Sequence, residues 1–174
     1  SDLVEMIRHR LNHLGGALDP HAGFLLHRGL KTLPVRVRYQ NESALAIAHR
    51  LERHSAVERV NYPGLASHPR HKRAAQLFDG FSGMLSFELS GGRDVADRFI
   101  KRVQLPVSAP SLGGVETLLT LPATTSHAGM QPEERHLAGI GDGLIRVSVG
   151  LESTSELIED FEHSLDQVGI PLAG

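Results

Sequence analysis

Apolar residues recur along this chain in two rhythms, one close to four residues and one of two, and their alternation outlines helices and short strands. Leu3, Met6, Leu11 and Leu14 have a loose helical spacing, which predicts a helix over residues 2–13 that Gly15 and Gly16 terminate. Asp19-Pro20 predicts the next helix start, with Asp19 as N-cap and Pro20 at the first helical position. Phe24, Leu25, Leu30 and Leu33 follow on adjoining faces until Pro34 interrupts or kinks the pattern. Val37, Leu45, Ala48 and Leu51 are spaced for one face of a long helix running to about residue 54.

Residues 57–62 read as a strand stopped by Pro63-Gly64, and residues 71–78 as a helix. In residues 84–89, Leu85, Phe87 and Leu89 alternate with Met84, Ser86 and Glu88, the period of a strand with two unlike faces. Residues 94–103 are predicted helical, and residues 115–121 and 144–149 are predicted strands. Ser153 and Glu156 have the spacing of a capping box, and Leu157, Phe161, Leu165 and Val168 line one face of the helix it opens. A few short strands among several helices predict an α/β or α+β layered domain, a short sheet packed with helices.

Composition narrows the function classes. The 174 residues are 40% hydrophobic and 22% charged, an ordinary balance for a globular chain. A formal net charge of −2 argues against a general nucleic-acid binder, and the basic run from Arg70 to Arg73 reads as a solvated helix start. With no cysteine there is no disulfide framework and no Cys-based zinc site, which fits a reducing compartment. No apolar run reaches the ~20 residues of a bilayer span, and the first residues lack the pattern of a signal peptide, so a cytoplasmic location is expected.

Histidine is abundant, with 11 copies, so metal binding is weighed first. His9 and His13, and His68 and His71, have helical spacing, but neither pair has an obvious third ligand, and no metal site is predicted. Ser126 and His127 are neighbours without a third partner, and no Gly-x-Ser-x-Gly elbow exists, so a Ser-His-Asp hydrolase is rejected. Ser111-Leu112-Gly113-Gly114 is a sharp turn that exposes a hydroxyl and amides to an anion; by itself it also reads as an ordinary loop. In residues 144–149, a period of two turns Ile145, Val147 and Val149 one way and Arg146 and Ser148 the other. An arginine inside such a strand needs a partner for its charge. Two readings stand: a guanidinium holding a ligand carboxylate through two parallel hydrogen bonds, or a structural ion pair with a glutamate such as Glu116.

These segments, in order, resemble the carboxyl-terminal signature of the cysteine and methionine metabolism (transsulfuration) pyridoxal-phosphate enzymes, whose members include cystathionine γ-lyase, cystathionine γ-synthase and methionine γ-lyase. The resemblance is carried by Leu18-Asp19-Pro20 with Arg28-Gly29-Leu30-Lys31-Thr32-Leu33, and by Tyr62-Pro63-Gly64-Leu65 with Ser67-His68-Pro69. It continues through Gly83 to Glu88, Ser111 to Glu116, Pro122-Ala123 with Ser126-His127-Ala128, and Leu144 to Glu152.

The resemblance implies the C-terminal domain of a fold-type-I pyridoxal-phosphate enzyme, with residues 1–33 ending the large cofactor domain and residues 34–174 forming the small one. It implies that Arg146 binds the substrate α-carboxylate, that Ser111 assists, and that Ser126 lies near the substrate. It further implies a sulfur amino-acid substrate, pyridoxal 5'-phosphate held by an N-terminal large domain, and a homotetramer when intact. The chain's lysines, Lys31, Lys72 and Lys101, all lack the Ser-x-Thr context of the family's Schiff-base lysine. No catalytic residue is therefore assigned, and the chain reads as a fragment that is inactive alone. Where cystathionine-acting members commonly carry Glu before the Ser-Leu-Gly-Gly turn, this chain has Pro110. The reading is a β- or γ-eliminating carbon–sulfur lyase, with a γ-replacement enzyme and a non-catalytic assembly domain as alternatives.

Overall fold

Among the described residues, five strands form one sheet in the order β1-β2-β5-β4-β3. They are β1 (Val57–Asn61), β2 (Met84–Leu89), β3 (Val107–Ser108), β4 (Leu118–Thr120) and β5 (Leu144–Ser148). Only the β3–β4 pair is parallel. The described residues also form seven α-helices: α1 (Asp2–Leu14), α2 (Pro20–Leu30), α3 (Leu33–Leu51), α4 (His71–Leu77), α5 (Gly92–Arg102), α6 (Pro132–Leu137) and α7 (Thr154–Asp166). A 3-10 turn at Pro122–Thr124 completes the elements. The computed structural model describes residues 2–16 and 18–169. The architecture is the mixed α/β layering that the pattern predicts.

The chain divides into two units, Ser1–Val35 and Arg36–Gly174. In the first, Asp19 accepts from the amides of His21 and Ala22 at 2.9 and 3.1 Å, capping α2 as its sequence predicts. Gly15 closes α1 in the left-handed region (φ 74°), its amide donating to the Leu11 carbonyl. Neither α1 nor α2 buries a single side chain, and Leu3, Met6, Ile7, Phe24 and Leu26 are all exposed. Pro34 stands in the first turn of α3, where a missing N–H costs nothing.

The second unit holds the core. In β2, Leu85, Phe87 and Leu89 are buried while the alternate residues are half-buried, and they lie level with Val147 and Ile145 of β5. Ala44, Ile47, Ala48 and Leu51 of α3 and Leu157, Phe161 and Leu165 of α7 belong to the same cluster. Three rings run through it edge to face: Phe87 to Phe99 of α5 at 5.5 Å, and Phe99 to Phe161 at 5.6 Å. Tyr62 is fully buried and donates its hydroxyl to the Ser82 carbonyl at 2.9 Å, holding the turn into β2. Burial pushes that phenol up to about 12, so it remains a donor at neutral pH.

Three local readings are corrected. The strand expected over residues 115–121 is reduced to Leu118–Thr120, because the preceding residues are held in a turn by side chains of other segments. The capping box at Ser153 does not form: its hydroxyl pairs with that of Ser155 at 3.0 Å. Helix α6 and strand β3 were not predicted. The start of α6 has a readable signature, since Pro132 occupies its first turn and the Gln131 amide donates to the Glu134 carboxylate at 3.3 Å.

Glu88 illustrates how the outer sheet face is tuned. Arg59 of β1 donates to its carboxylate at 3.4 Å and also to the Gly139 carbonyl at 3.3 Å. Burial nevertheless dominates and holds the Glu88 pKa above the usual carboxylate range. A carboxyl whose folded pKa is raised favours folding most below its unfolded pKa, and that contribution is lost as pH rises through the folded value. Glu88→Gln removes this titration, so its Tm relative to wild type should rise between about pH 4 and about pH 7. Thermal unfolding at the two pH values checks this, and a difference that falls or stays flat contradicts it.

Candidate functional site

Arg146 sits in the middle of β5, between Ile145 and Val147, both fully buried. The pleat turns it to the other face of the sheet. Its cross-strand neighbours are Ser86 of β2 and Thr120 of β4, and Ser86 in turn lies opposite Asn61 of β1. Asn61, Ser86, Arg146 and Thr120 thus form one polar row across four strands, with Asn61 donating to the Ser86 hydroxyl at 3.2 Å. The cross-strand neighbours of Arg146, Ser86 and Thr120, have short side chains.

The guanidinium is anchored through Nη2, which donates to the carbonyls of Pro110 at 3.0 Å and Ser111 at 2.7 Å. Its Nε is shielded from solvent and has no hydrogen-bond partner. Among the described residues Arg146 has no ion pair. The alternative pairing with Glu116 is not formed. A half-buried cation with a donor unsatisfied and no counter-charge is costly by itself and complementary to a carboxylate.

Ser111 is brought to Arg146, but by its carbonyl, and the residue is exposed. Ser126 is not joined to either by a hydrogen bond. Its hydroxyl meets His127 Nδ1 at 2.8 Å, so these neighbours do touch, but no carboxylate orients His127 among the described residues and the hydrolase triad is incomplete. Sequence reasoning missed three buried polar residues that hold the Ser111 turn. Ser148 accepts from the Gly113 amide at 2.9 Å, Gln40 donates to the Gly114 carbonyl at 2.9 Å, and Thr117 is bonded to Glu152. The only local signal for Ser148 was its alternation with the apolar positions of β5.

The histidine pairs serve local structure. His13 Nδ1 meets the His9 carbonyl at 2.8 Å, and His71 Nδ1 meets that of Pro63 at 2.8 Å. Among the described residues no group of three His, Asp or Glu side chains could hold a metal ion, and no helix is long and apolar enough to cross a membrane. The lysines Lys31, Lys72 and Lys101 are all exposed on or beside helices. Lys101 borders a cleft of about 450 Å³ with Pro110, Thr120 and Thr125, and no aromatic side chain lines it. A pyridoxal ring requires an enclosed amine and a stacking surface, and the described residues do not fit that group.

The chain is 42% identical over 166 residues to the cystathionine gamma-lyase of Dictyostelium discoideum, covering 95% of this chain and 43% of that protein. It is 44% identical over 155 residues to the O-succinylhomoserine sulfhydrylase of Pseudomonas aeruginosa, covering 89% of this chain and 38% of that one. The crystal structure of cystathionine gamma synthase from Xanthomonas oryzae pv. oryzae in complex with cystathionine superposes with a TM-score of 0.88 at 42% identity, over 99% of this chain and 44% of that chain. The chain therefore spans less than half the length of these relatives. The mixed α/β fold and its five-stranded sheet agree with the fold-type-I expectation. A family model described as "Cys/Met metabolism PLP-dependent enzyme" matches residues 1–166, and the chain belongs to that pyridoxal-phosphate-dependent family.

Proposed function

We propose that this chain is the substrate-carboxylate-binding part of a pyridoxal-phosphate-dependent carbon–sulfur lyase acting on sulfur amino acids by β- or γ-elimination. The observation that carries the reading is Arg146, fixed to two carbonyls of the Ser111 turn while its charge and Nε are unmatched. A substrate α-carboxylate supplies the missing counter-charge to the half-buried guanidinium, whose direction the strand and the turn together fix. That orientation sets which bond at Cα stands correctly for reaction. In this family the cofactor supplies an electron sink, and we place its seat and its lysine outside the described residues. In the same reading residues 1–33 end the cofactor domain, and the exposed apolar side chains of α1 and α2 dock against it or against another subunit.

Pro110 bears on the substrate. It lends its carbonyl to Arg146 and has no charge or donor for a polar distal group. This favours a smaller or less polar sulfur amino acid over cystathionine. γ-Replacement remains the second reading, since the relatives include a cystathionine gamma synthase and a sulfhydrylase. Assay of the intact enzyme separates them. An eliminating enzyme releases ammonia and a 2-oxo acid from methionine, cysteine or cystathionine without a second substrate. A replacement enzyme requires O-succinylhomoserine and a thiol, and failure to release 2-oxo acid from any of the first three would overturn the lyase reading.

The chain alone should not fix the cofactor. Mixed with pyridoxal phosphate and reduced with borohydride, it should show no label concentrated on one lysine, because all three are exposed. Peptide mapping checks this, and a single labelled lysine accompanied by turnover would contradict it.

A further inference from the structure

The turn that anchors Arg146 is tied to the end of β5 by the Ser148 hydroxyl and, just beyond the strand, by a second buried hydroxyl. Thr117 is fully buried. Its Oγ1 donates to Glu152 Oε2 at 2.7 Å and accepts from the Gly150 amide at 2.9 Å, so both of its capacities are in use. Its own amide donates to Glu152 Oε1 at 2.6 Å. The Leu151 amide reaches back to the Val115 carbonyl at 2.7 Å, and a side chain on Gly150 would run into that same carbonyl. Residues 115–117 and 150–152 therefore lie against each other with no room to slide.

The consequence reaches Arg146 from both sides. Arg146 lies four residues before Gly150, close to the end of β5, and its Nη2 is bonded to carbonyls at the start of the same turn. Moving the turn at Thr117 displaces those carbonyls relative to the strand that carries the guanidinium. We infer that Thr117, locked by Glu152 and Gly150, is a positioning residue that sets the direction of the Arg146 guanidinium toward a substrate carboxylate. The inference rests on the carboxylate reading of Arg146. Thr117 itself touches no substrate: it lies beneath the turn, completely covered.

Thr117→Val tests this, because valine keeps the shape and removes both hydroxyl bonds. In the intact holoenzyme, L-methionine and its decarboxylated amine, 3-(methylthio)propylamine, serve as competitive ligands that differ only in the carboxylate. Thr117→Val should weaken L-methionine about tenfold and the amine less than about twofold, while Thr117→Ser restores the wild-type pattern. Glu152→Gln, which keeps one acceptor for Thr117, is the second variant should the valine protein fail to fold, and should shift the same ratio in the same direction. Arg146→Lys, measured in parallel, separates the two ideas. If Arg146→Lys weakens L-methionine selectively and neither Thr117→Val nor Glu152→Gln does, the positioning role is wrong and the carboxylate reading stands. If Arg146→Lys weakens both ligands equally, the carboxylate reading falls and this inference with it. Equal weakening of both ligands by Thr117→Val also overturns the positioning role, leaving Thr117 a purely structural residue.

Discussion

Arg146→Lys in the intact enzyme should lower kcat/KM for an α-amino acid at least about tenfold, corresponding to loss of a charge-assisted hydrogen bond of about 1.5–3 kcal/mol. Lysine keeps the positive charge and loses the planar fork. It cannot hold the Pro110 and Ser111 carbonyls with one nitrogen while presenting parallel donors to a carboxylate. The defect should follow the substrate's carboxylate, and the cofactor's visible absorbance should be unchanged. Arg146 lies on a sheet face whose neighbours are Ser86 and Thr120, with no described residue suited to the cofactor beside it. Loss of the cofactor spectrum, or equal defects with and without a carboxylate, would make Arg146 a structural residue of β5.

Phe99→Ala should cost about 3–5 kcal/mol of stability, the range for removing a buried aromatic side chain. Phe99 is fully buried and forms the middle of the three-ring run, so alanine leaves a cavity between Phe87 of the sheet and Phe161 of α7. Two edge-to-face contacts disappear with it, which puts the loss toward the upper end of that range. Against a typical total of about 5–15 kcal/mol, the variant would retain only part of the stability of the fold. Urea unfolding reads the change as a lower midpoint with an unchanged slope. A loss below about 1 kcal/mol would mean that α5 repacks freely, contrary to the packing described. Phe99→Leu should lose less, since most of the volume remains.

Much of the site-bearing architecture is legible in local sequence, because local periodicity reports on burial. The alternation in residues 84–89 assigns Leu85, Phe87 and Leu89 to the core, and the stripe from Leu157 to Val168 assigns the buried face of α7. The same period turns Arg146 away from Ile145 and Val147, and Asp19-Pro20 marks the start of α2. Where side-chain bonding rather than periodicity decides, local reading fails. Ser153 has the spacing of a cap, yet its hydroxyl goes to Ser155.

The environment of Arg146 was decided by tertiary structure alone. Its partners Pro110 and Ser111 lie 36 and 35 residues away along the chain, and Gln40 reaches Gly114 across 74. The apolar and small residues of 115–121 are compatible with a longer strand. Glu152 takes up the Thr117 amide, and Ser148 and Gln40 hold the Gly113 amide and the Gly114 carbonyl just before it, so the chain enters this segment in a turn. The polar row from Asn61 to Thr120 exists only because the strand order places β5 between β2 and β4 in one particular register. Periodicity records which face of an element is buried, a property of residues two to four apart. Which buried donor meets which acceptor depends on register between distant segments, and that is fixed only when the sheet closes around them.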